Sequence, residues 1–203
     1  MPPLGDDPLC DPSQSFLKGG PGDPFSHGVY LSAIAAQDKN RVIGTGISIP
    51  WNIPQDTALF RATTVGKICI MGRRTYESLP GPLRDRHHIV VSRTLGALPN
   101  QSHVSVVSSL GSGVWSLCRE LMHKGYAPEV MVIGGGTLYS QLLPVTRRIY
   151  LTTLLDHASK GWVKVRFPVL EDTDWDKISS RLVDGPLGRM TFDIYSRPLD
   201  LLV

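Results

Sequence analysis

The segment Ile49-Pro50-Trp51-Asn52-Ile53-Pro54-Gln55-Asp56 sets one carboxylate, Asp56, in an otherwise apolar and neutral run. The next acid downstream is Glu77, and Asp38 upstream is separated from it by a basic and apolar stretch. A lone acid facing an apolar pocket is costly as a bare ion. Its pKa rises and it seeks a cationic or multi-donor ligand. That chemistry suits holding and protonating a nitrogen heterocycle.

Three further groups carry chemical potential. Gly134-Gly135-Gly136 falls between a strand pattern and a helix pattern. Bare backbone N–H groups there can approach an anion, and the following helix start favours negative charge. A tight strand-to-helix turn would read the same way, and the six-residue dinucleotide fingerprint is absent. Gly72-Arg73-Arg74-Thr75 repeats the strand-to-helix arrangement with two guanidinium groups and a hydroxyl, and Ser92-Arg93 stands at a matching strand end. Together they suit a phosphate, and a 2′-phosphate in particular, hence NADPH over NADH. A solvated basic surface is the alternative. Arg86, before a strand, could clamp a carboxylate by bidentate pairing. His87 and His88 follow it, and the histidines show no metal-ligand spacing, so no metal is expected.

The elements that must position these residues are legible as patterns. Val29 to Ala36 is a short apolar run that reads as a buried strand. Pro54 to Thr63 reads as a helix with Pro54 near its first position, and Asp56, Leu59, Phe60 and Thr63 share a face. Further strands are expected at Lys67–Met71, His88–Ser92, Val104–Val107, Glu129–Ile133 and Arg148–Leu154. Gly72–Ser78, Gly113–Lys124 and Thr137–Leu143 read as a turn entering a short helix and two helices. Trp175–Arg181 and Met190–Ser196 read as late strands around the turn Gly185-Pro186-Leu187-Gly188. Alternating strands and helices predict an α/β fold with a mostly parallel sheet flanked by helices and a C-terminal antiparallel edge hairpin.

Length and composition bound the answer. The 203 residues suffice for one domain with a real core. The net charge of +3, from 21 basic and 18 acidic residues, argues against a general nucleic-acid binder. Cys10, Cys69 and Cys118 are widely spaced and read as free thiols in a reducing compartment. No apolar run approaches a membrane span. Residues 1–28 are rich in proline and glycine, carry Asp6, Asp7, Asp11 and Asp23, and lack arginine. That excludes a secretory signal and argues against a transit peptide. They read as a poorly ordered extension, or one packed on the domain through Phe16, Leu17 and Phe25. Residues 29–203 form the domain proper.

Nine segments, in order, resemble dihydrofolate reductase. They are Ala33-Ile34-Ala35-Ala36, Arg41-Val42-Ile43-Gly44, Pro50 to Asp56, Ile70 to Ser78, Pro82-Leu83, His88 to Arg93, Val132 to Tyr139, Tyr150-Leu151-Thr152 and Phe167-Pro168. The resemblance implies a cytoplasmic NADPH-dependent enzyme that reduces 7,8-dihydrofolate to tetrahydrofolate, an antifolate target in one-carbon metabolism. By position, Asp56 matches the carboxylate that binds the pterin and promotes protonation at N5. Trp51 matches the tryptophan that orders a water, and Thr152 the threonine bonded to the acid. Ile34, Phe60 and Ile133 match pterin contacts. Leu79, Leu83 and Arg86 match the aminobenzoyl-glutamate pocket, with Arg86 on the α-carboxylate. Ala36, Ile43, Gly44, Ile49, Gly72, Arg73, Arg74, Thr75, Ser92, Arg93, Ile133, Gly134, Gly135, Gly136, Thr137, Leu138 and Tyr139 match the cofactor site. Gly135 and Gly136 match an unusual cis peptide. Gly44 to Ile49 resembles a mobile lid, with Ile49 covering the nicotinamide.

The chain departs from the family in places. Gly161 to Phe167 offers Lys164 and Arg166 where many members carry an acid that holds the lid. Thr57 replaces a common apolar residue after Asp56. A monomer, or the reductase part of a bifunctional reductase–thymidylate synthase, is expected. Two readings compete. One is a same-fold reductase of another heterocycle, against which the Trp51…Asp56 spacing and Arg86 argue. The other is a binding-only paralogue, against which Asp56 itself argues.

Overall fold

The computed structural model describes residues 28–46, 48–96, 98, 101–160 and 164–198. Residues 1–27 of the Pro/Gly-rich extension, with the expected packing of Phe16, Leu17 and Phe25, lie outside them. The first strand, β1, is Tyr30–Asp38. Val42–Gly44 (β2), the helix Pro54–Thr64 (α1), Ile68–Gly72 (β3), Arg73–Ser78 (α2) and His87–Val91 (β4) follow. Next come Val104–Val107 (β5), Ser112–His123 (α3), Glu129–Val132 (β6), Gly136–Leu142 (α4) and Thr146–Leu154 (β7). Val165–Arg166 (β8), Asp176–Gly185 (β9) and Gly188–Ser196 (β10) complete the chain.

Eight strands form one sheet in the order β5-β4-β3-β6-β1-β7-β10-β9. From β5 to β7 every pairing is parallel, and β10 and β9 close the edge antiparallel. This is the expected architecture. Parallel strands are buried on both faces, so β3 reads as an unbroken apolar run, as does β6 after its first residue, Glu129. Side chains alternate across the sheet. Leu31, Ala33, Ile70, Ile89 and Val132 share one core with Trp115, Cys118 and Leu121 of α3 and Leu138 and Leu142 of α4. Ile34, Cys69, Met71, Val90 and Met131 face the other way and meet Phe60 of α1, Tyr76 of α2 and Leu79. The second face carries the site.

Some boundaries differ from expectation. The hairpin strands run on to Gly185 and resume at Gly188, leaving Pro186 and Leu187 at the turn, where Gly188 has φ +96°. Cross-strand pairing extends through polar residues that carry no apolar alternation. The small β2–β8 pair escaped notice because two or three residues hold no periodicity.

An ionic cluster lies near the amino end of β6. Glu129 accepts hydrogen bonds from Ser32 of β1, Lys67 and Tyr150 of β7. Burial pushes the Glu129 carboxyl up, but the Lys67 and Ser32 bonds outweigh it and hold the carboxyl below its ordinary 4.5. The stabilisation is therefore present above pH 4.5 and is lost as pH falls through the lowered value. Glu129→Gln is expected to cost about 3 kcal/mol at pH 7, because Lys67 loses its counter-charge. In denaturant titrations the gap from wild type should narrow in acid, and a pH-independent gap would contradict the ionic account.

Candidate active site

Pro54 opens α1, where its fixed φ suits the first helical position and its missing N–H costs nothing. Asp56 follows in the first turn, where unpaired N–H groups favour a carboxylate. The Thr152 hydroxyl, 2% exposed on β7, donates to Asp56 Oδ1 at 2.6 Å. Burial is the main influence on Asp56 and pushes its carboxyl above the usual 3.8, while the Thr152 bond opposes it. Trp51 Nε1 is buried with no acceptor among the described residues, and its ring meets His157 edge-on at 5.8 Å. A buried indole N–H without a protein partner is a donor for water or ligand.

Phe60 stands one turn beyond Asp56 on the same helix face. Arg86 Cζ lies 6.0 Å from the Phe60 ring centre. Arg86 is only 5% exposed, and its Nε is buried without an acceptor among the described residues. Burial lowers its pKa, yet a guanidinium keeps its charge. The chain reaches Arg86 through Asp85, at φ +59°, whose carbonyl accepts from Gly66 N–H at 2.8 Å. Ile34, Phe60, Leu79 and Ile133 belong to one apolar cluster, whose Phe60 shares α1 with Asp56 and meets Arg86. Leu83, half-buried, donates its N–H to His88 Nε2. Phe60 thus links the acid, one turn away on α1, to the arginine.

The glycine turns fall at the carboxyl ends of adjacent parallel strands, where open α/β sheets bind ligands. Gly72 N–H donates to the Gly134 carbonyl at 2.8 Å and joins the ends of β3 and β6. A Cβ on Gly134 or Gly135 would lie 3.4 or 3.5 Å from Thr75 Oγ1, so the turn shows bare backbone toward that hydroxyl. A Cβ on Gly136 would strike Val165 of β8 at 2.7 Å. Arg73, Arg74 and Arg93 are exposed on the same rim, beside the exposed Thr137. Arg73 holds Glu77 at 2.8 Å and Thr94 at 2.6 Å. Ser92 accepts the Thr94 and Leu95 N–H groups and shapes the loop after β4. This donor set, cationic and rich in free backbone, fits an anionic dinucleotide.

One expectation needs correction. The cis peptide joins Gly134 to Gly135, not Gly135 to Gly136. The first glycine carries the carbonyl that meets Gly72, whereas Gly136 is small because β8 packs on it. The Leu138 side chain lies in the main core, 2% exposed, and its Cδ1 would lie 3.9 Å from a Cβ on Gly72, beneath the glycine turn. Its position is the inward one on α4. Tyr139 is also buried, and its hydroxyl donates to the Ile34 carbonyl at 2.6 Å. It fastens the glycine turn to β1. Ala36 is half-buried, and Ile43 packs half-buried on the main core.

In the lid segment, Gly44 continues β2, and Ser48 carbonyl accepts from Thr45 N–H at 3.0 Å. Ile49 is 61% exposed, and Ile47 lies outside the described residues. Asp38, wholly buried, is the anchor that the sequence reading missed. It accepts N–H bonds from Asn40, Val42 and Ser159 at 2.8, 2.9 and 2.6 Å. An Asp two residues before Asn at the end of an apolar run was the available signal for such a turn. Trp162 and the other residues of 161–163, part of the departure from the family pattern, lie outside the described residues.

The sequence profile of the dihydrofolate reductase family matches residues 30–197. The chain belongs to the dihydrofolate reductase family. It is 32% identical over 176 residues to dihydrofolate reductase type A13 of Escherichia coli, covering 86% of this chain and 98% of that protein. It is 37% identical over 152 residues to the dihydrofolate reductase of Bacillus subtilis, covering 74% and 82%. Type 3 of Salmonella typhimurium is 38% identical over 144 residues, covering 66% and 83%. As a dihydrofolate reductase family member the chain is an oxidoreductase. Among the described residues no helix is long and apolar enough to cross a membrane.

Thr152→Val would remove the one bond, among the described residues, that restrains the Asp56 carboxyl against burial. Carbon-detected NMR titration should place the Asp56 midpoint higher than in the wild type. An unchanged or lower midpoint would show that the hydroxyl does not stabilise the ionised acid.

Proposed function

We propose that the chain reduces 7,8-dihydrofolate to 5,6,7,8-tetrahydrofolate with NADPH. The observation that carries this reading is the half-buried Asp56 with its Thr152 bond and the buried Arg86 beside Phe60, a residue of the apolar cluster that also holds Ile34, Leu79 and Ile133. A pterin with an acidic tail has the matching chemistry: ring N–H donors at one end and a carboxylate at the other.

In this reading Asp56 accepts from the pterin 2-amino group and ring N–H. It promotes protonation at N5 through a water held beside Trp51 Nε1. Thr152 keeps the acid oriented. Ile34, Phe60 and Ile133 hold the ring and exclude water. Leu79 and Leu83 line the aminobenzoyl segment, and Arg86 takes the α-carboxylate with its unspent guanidinium edge. The turns at Gly72 and Gly134–Gly136, with Thr75, Thr137, Ser92 and the three rim arginines, hold the phosphates of the dinucleotide. When bound, NADPH supplies a hydride from nicotinamide C4 to pterin C6. Ala36, Ile43, Gly44 and Ile49 shape the nicotinamide side of the pocket. The reading includes a cytoplasmic enzyme that works as a monomer or as the reductase part of a bifunctional reductase–thymidylate synthase. Antifolates would compete at Asp56.

The test is NADPH oxidation with 7,8-dihydrofolate, followed by absorbance, with NADH as control. Rapid turnover that prefers NADPH is expected, and its absence would overturn the assignment. Asp56→Asn should lose far more turnover at neutral than at acid pH, since already protonated substrate needs less help. An equal loss at both would remove Asp56 from the proton step. Arg86→Leu should raise the dihydrofolate KM roughly 10- to 100-fold, the value of a charge-assisted bidentate pair, with little change in kcat. An unaltered KM would place Arg86 outside the substrate pocket.

A further inference from the structure

His88 is the second residue of β4 and is wholly buried. Both ring nitrogens are engaged. Leu83 N–H donates to His88 Nε2 at 3.1 Å, so Nε2 carries a lone pair. The proton of the neutral ring then sits on Nδ1, which faces the His103 carbonyl at 3.4 Å. The His88 backbone N–H donates to the same carbonyl at 2.8 Å, so the ring is anchored at the start of the β4–β5 pair. From there it reaches the irregular segment at Gly81-Pro82-Leu83, which is half-buried and outside any helix or strand.

The neutral form is enforced by the surroundings. Burial is the main influence and brings the His88 pKa down to about 4. The neighbouring charges of His103, His87 and Arg86 act in the same direction, and the His103 carbonyl bond opposes them. His87 is occupied elsewhere, with Nε2 2.9 Å from the Ser105 hydroxyl and its ring edge-on to Tyr126. A residue that served only to fill the core would need no acceptor at this place. An apolar side chain would leave the Leu83 N–H without its partner, and Leu83 would lose the bond that fixes its place.

We propose that His88 is a positioning residue for the substrate tail: its Nε2 holds the Leu83 backbone, and so fixes the Leu83 side chain in register with Arg86. The proposal rests on the reading of Leu83 and Arg86 as the pocket for the aminobenzoyl-glutamate tail. His88 itself touches neither the pterin nor the cofactor turns. Its influence is on tail binding alone.

The test is steady-state kinetics of the full chain with two substrates, 7,8-dihydrofolate and a 7,8-dihydropterin that lacks the aminobenzoyl-glutamate tail. His88→Phe is expected to raise the dihydrofolate KM about five-fold, with kcat and the NADPH KM within about two-fold of wild type. The tail-less substrate should be turned over equally by wild type and variant. His88→Gln, whose amide oxygen reaches toward the Nε2 position, should restore the dihydrofolate KM. A loss equal for both substrates, a loss confined to kcat, or no rescue by His88→Gln overturns the proposal. Arg86→Leu in the same assay separates the two readings. If it leaves the KM unchanged, the tail pocket and the His88 proposal fail together. If it raises the KM and His88→Phe does not, the His88 proposal alone fails. Should His88→Phe not fold, long-range proton–nitrogen NMR on the wild type decides. The Nδ1–H tautomer with an unprotonated Nε2 is expected, and the Nε2–H tautomer overturns the proposal.

Discussion

The hydrogen bond from Gly72 N–H to the Gly134 carbonyl ties the carboxyl ends of β3 and β6 together, and the rest of the site hangs from that junction. It fixes where α2 and α4 begin. It brings Thr75 beside the bare backbone of Gly134 and Gly135. Tyr139, one turn into α4, then bonds the Ile34 carbonyl and carries the alignment onto β1. Parallel pairing puts every one of these strand ends on the same rim. A rim of this kind is the natural place for a ligand, because backbone donors there have no strand partner left.

The second organising feature is the cost of buried charge. Asp56 and Arg86 both give up solvent, and each keeps bonding capacity that the protein does not consume. Asp56 has one oxygen bonded by Thr152. Arg86 has a buried Nε without an acceptor among the described residues. Elsewhere the same chain satisfies its buried charges fully: Glu129 takes Ser32, Lys67 and Tyr150, and Asp38 takes three N–H groups. The contrast separates ions that hold the fold from ions kept ready for a ligand.

Much of the architecture was legible from residue patterns. The unbroken apolar runs Ile68–Met71 and Val130–Ile133 mark buried parallel strands, and Pro54 marks the start of α1. Asp56 stood out because no other acid lies near it in the chain. The pieces that escaped notice lack a pattern. β2 and β8 are too short for periodicity, and the hairpin extends through Asp184 and Arg189, whose polarity hides their pairing. The cis bond was displaced by one residue because three successive glycines are indistinguishable until one of them meets Gly72.

The sequence by itself determined the class of chemistry: one isolated acid, glycine turns with arginines after apolar strands, and an arginine beside a strand. These follow from local composition, since burial preference and backbone freedom belong to single residues and near neighbours. Only the tertiary structure decided which groups meet. Thr152 reaches Asp56 across 96 positions of chain, and Tyr139 reaches Ile34 across 105. The fold also revealed that His88 turns its ring toward Leu83 while His87 turns away to Ser105. Adjacent strand residues point to opposite faces, so two neighbouring histidines acquire different roles only once the sheet is built.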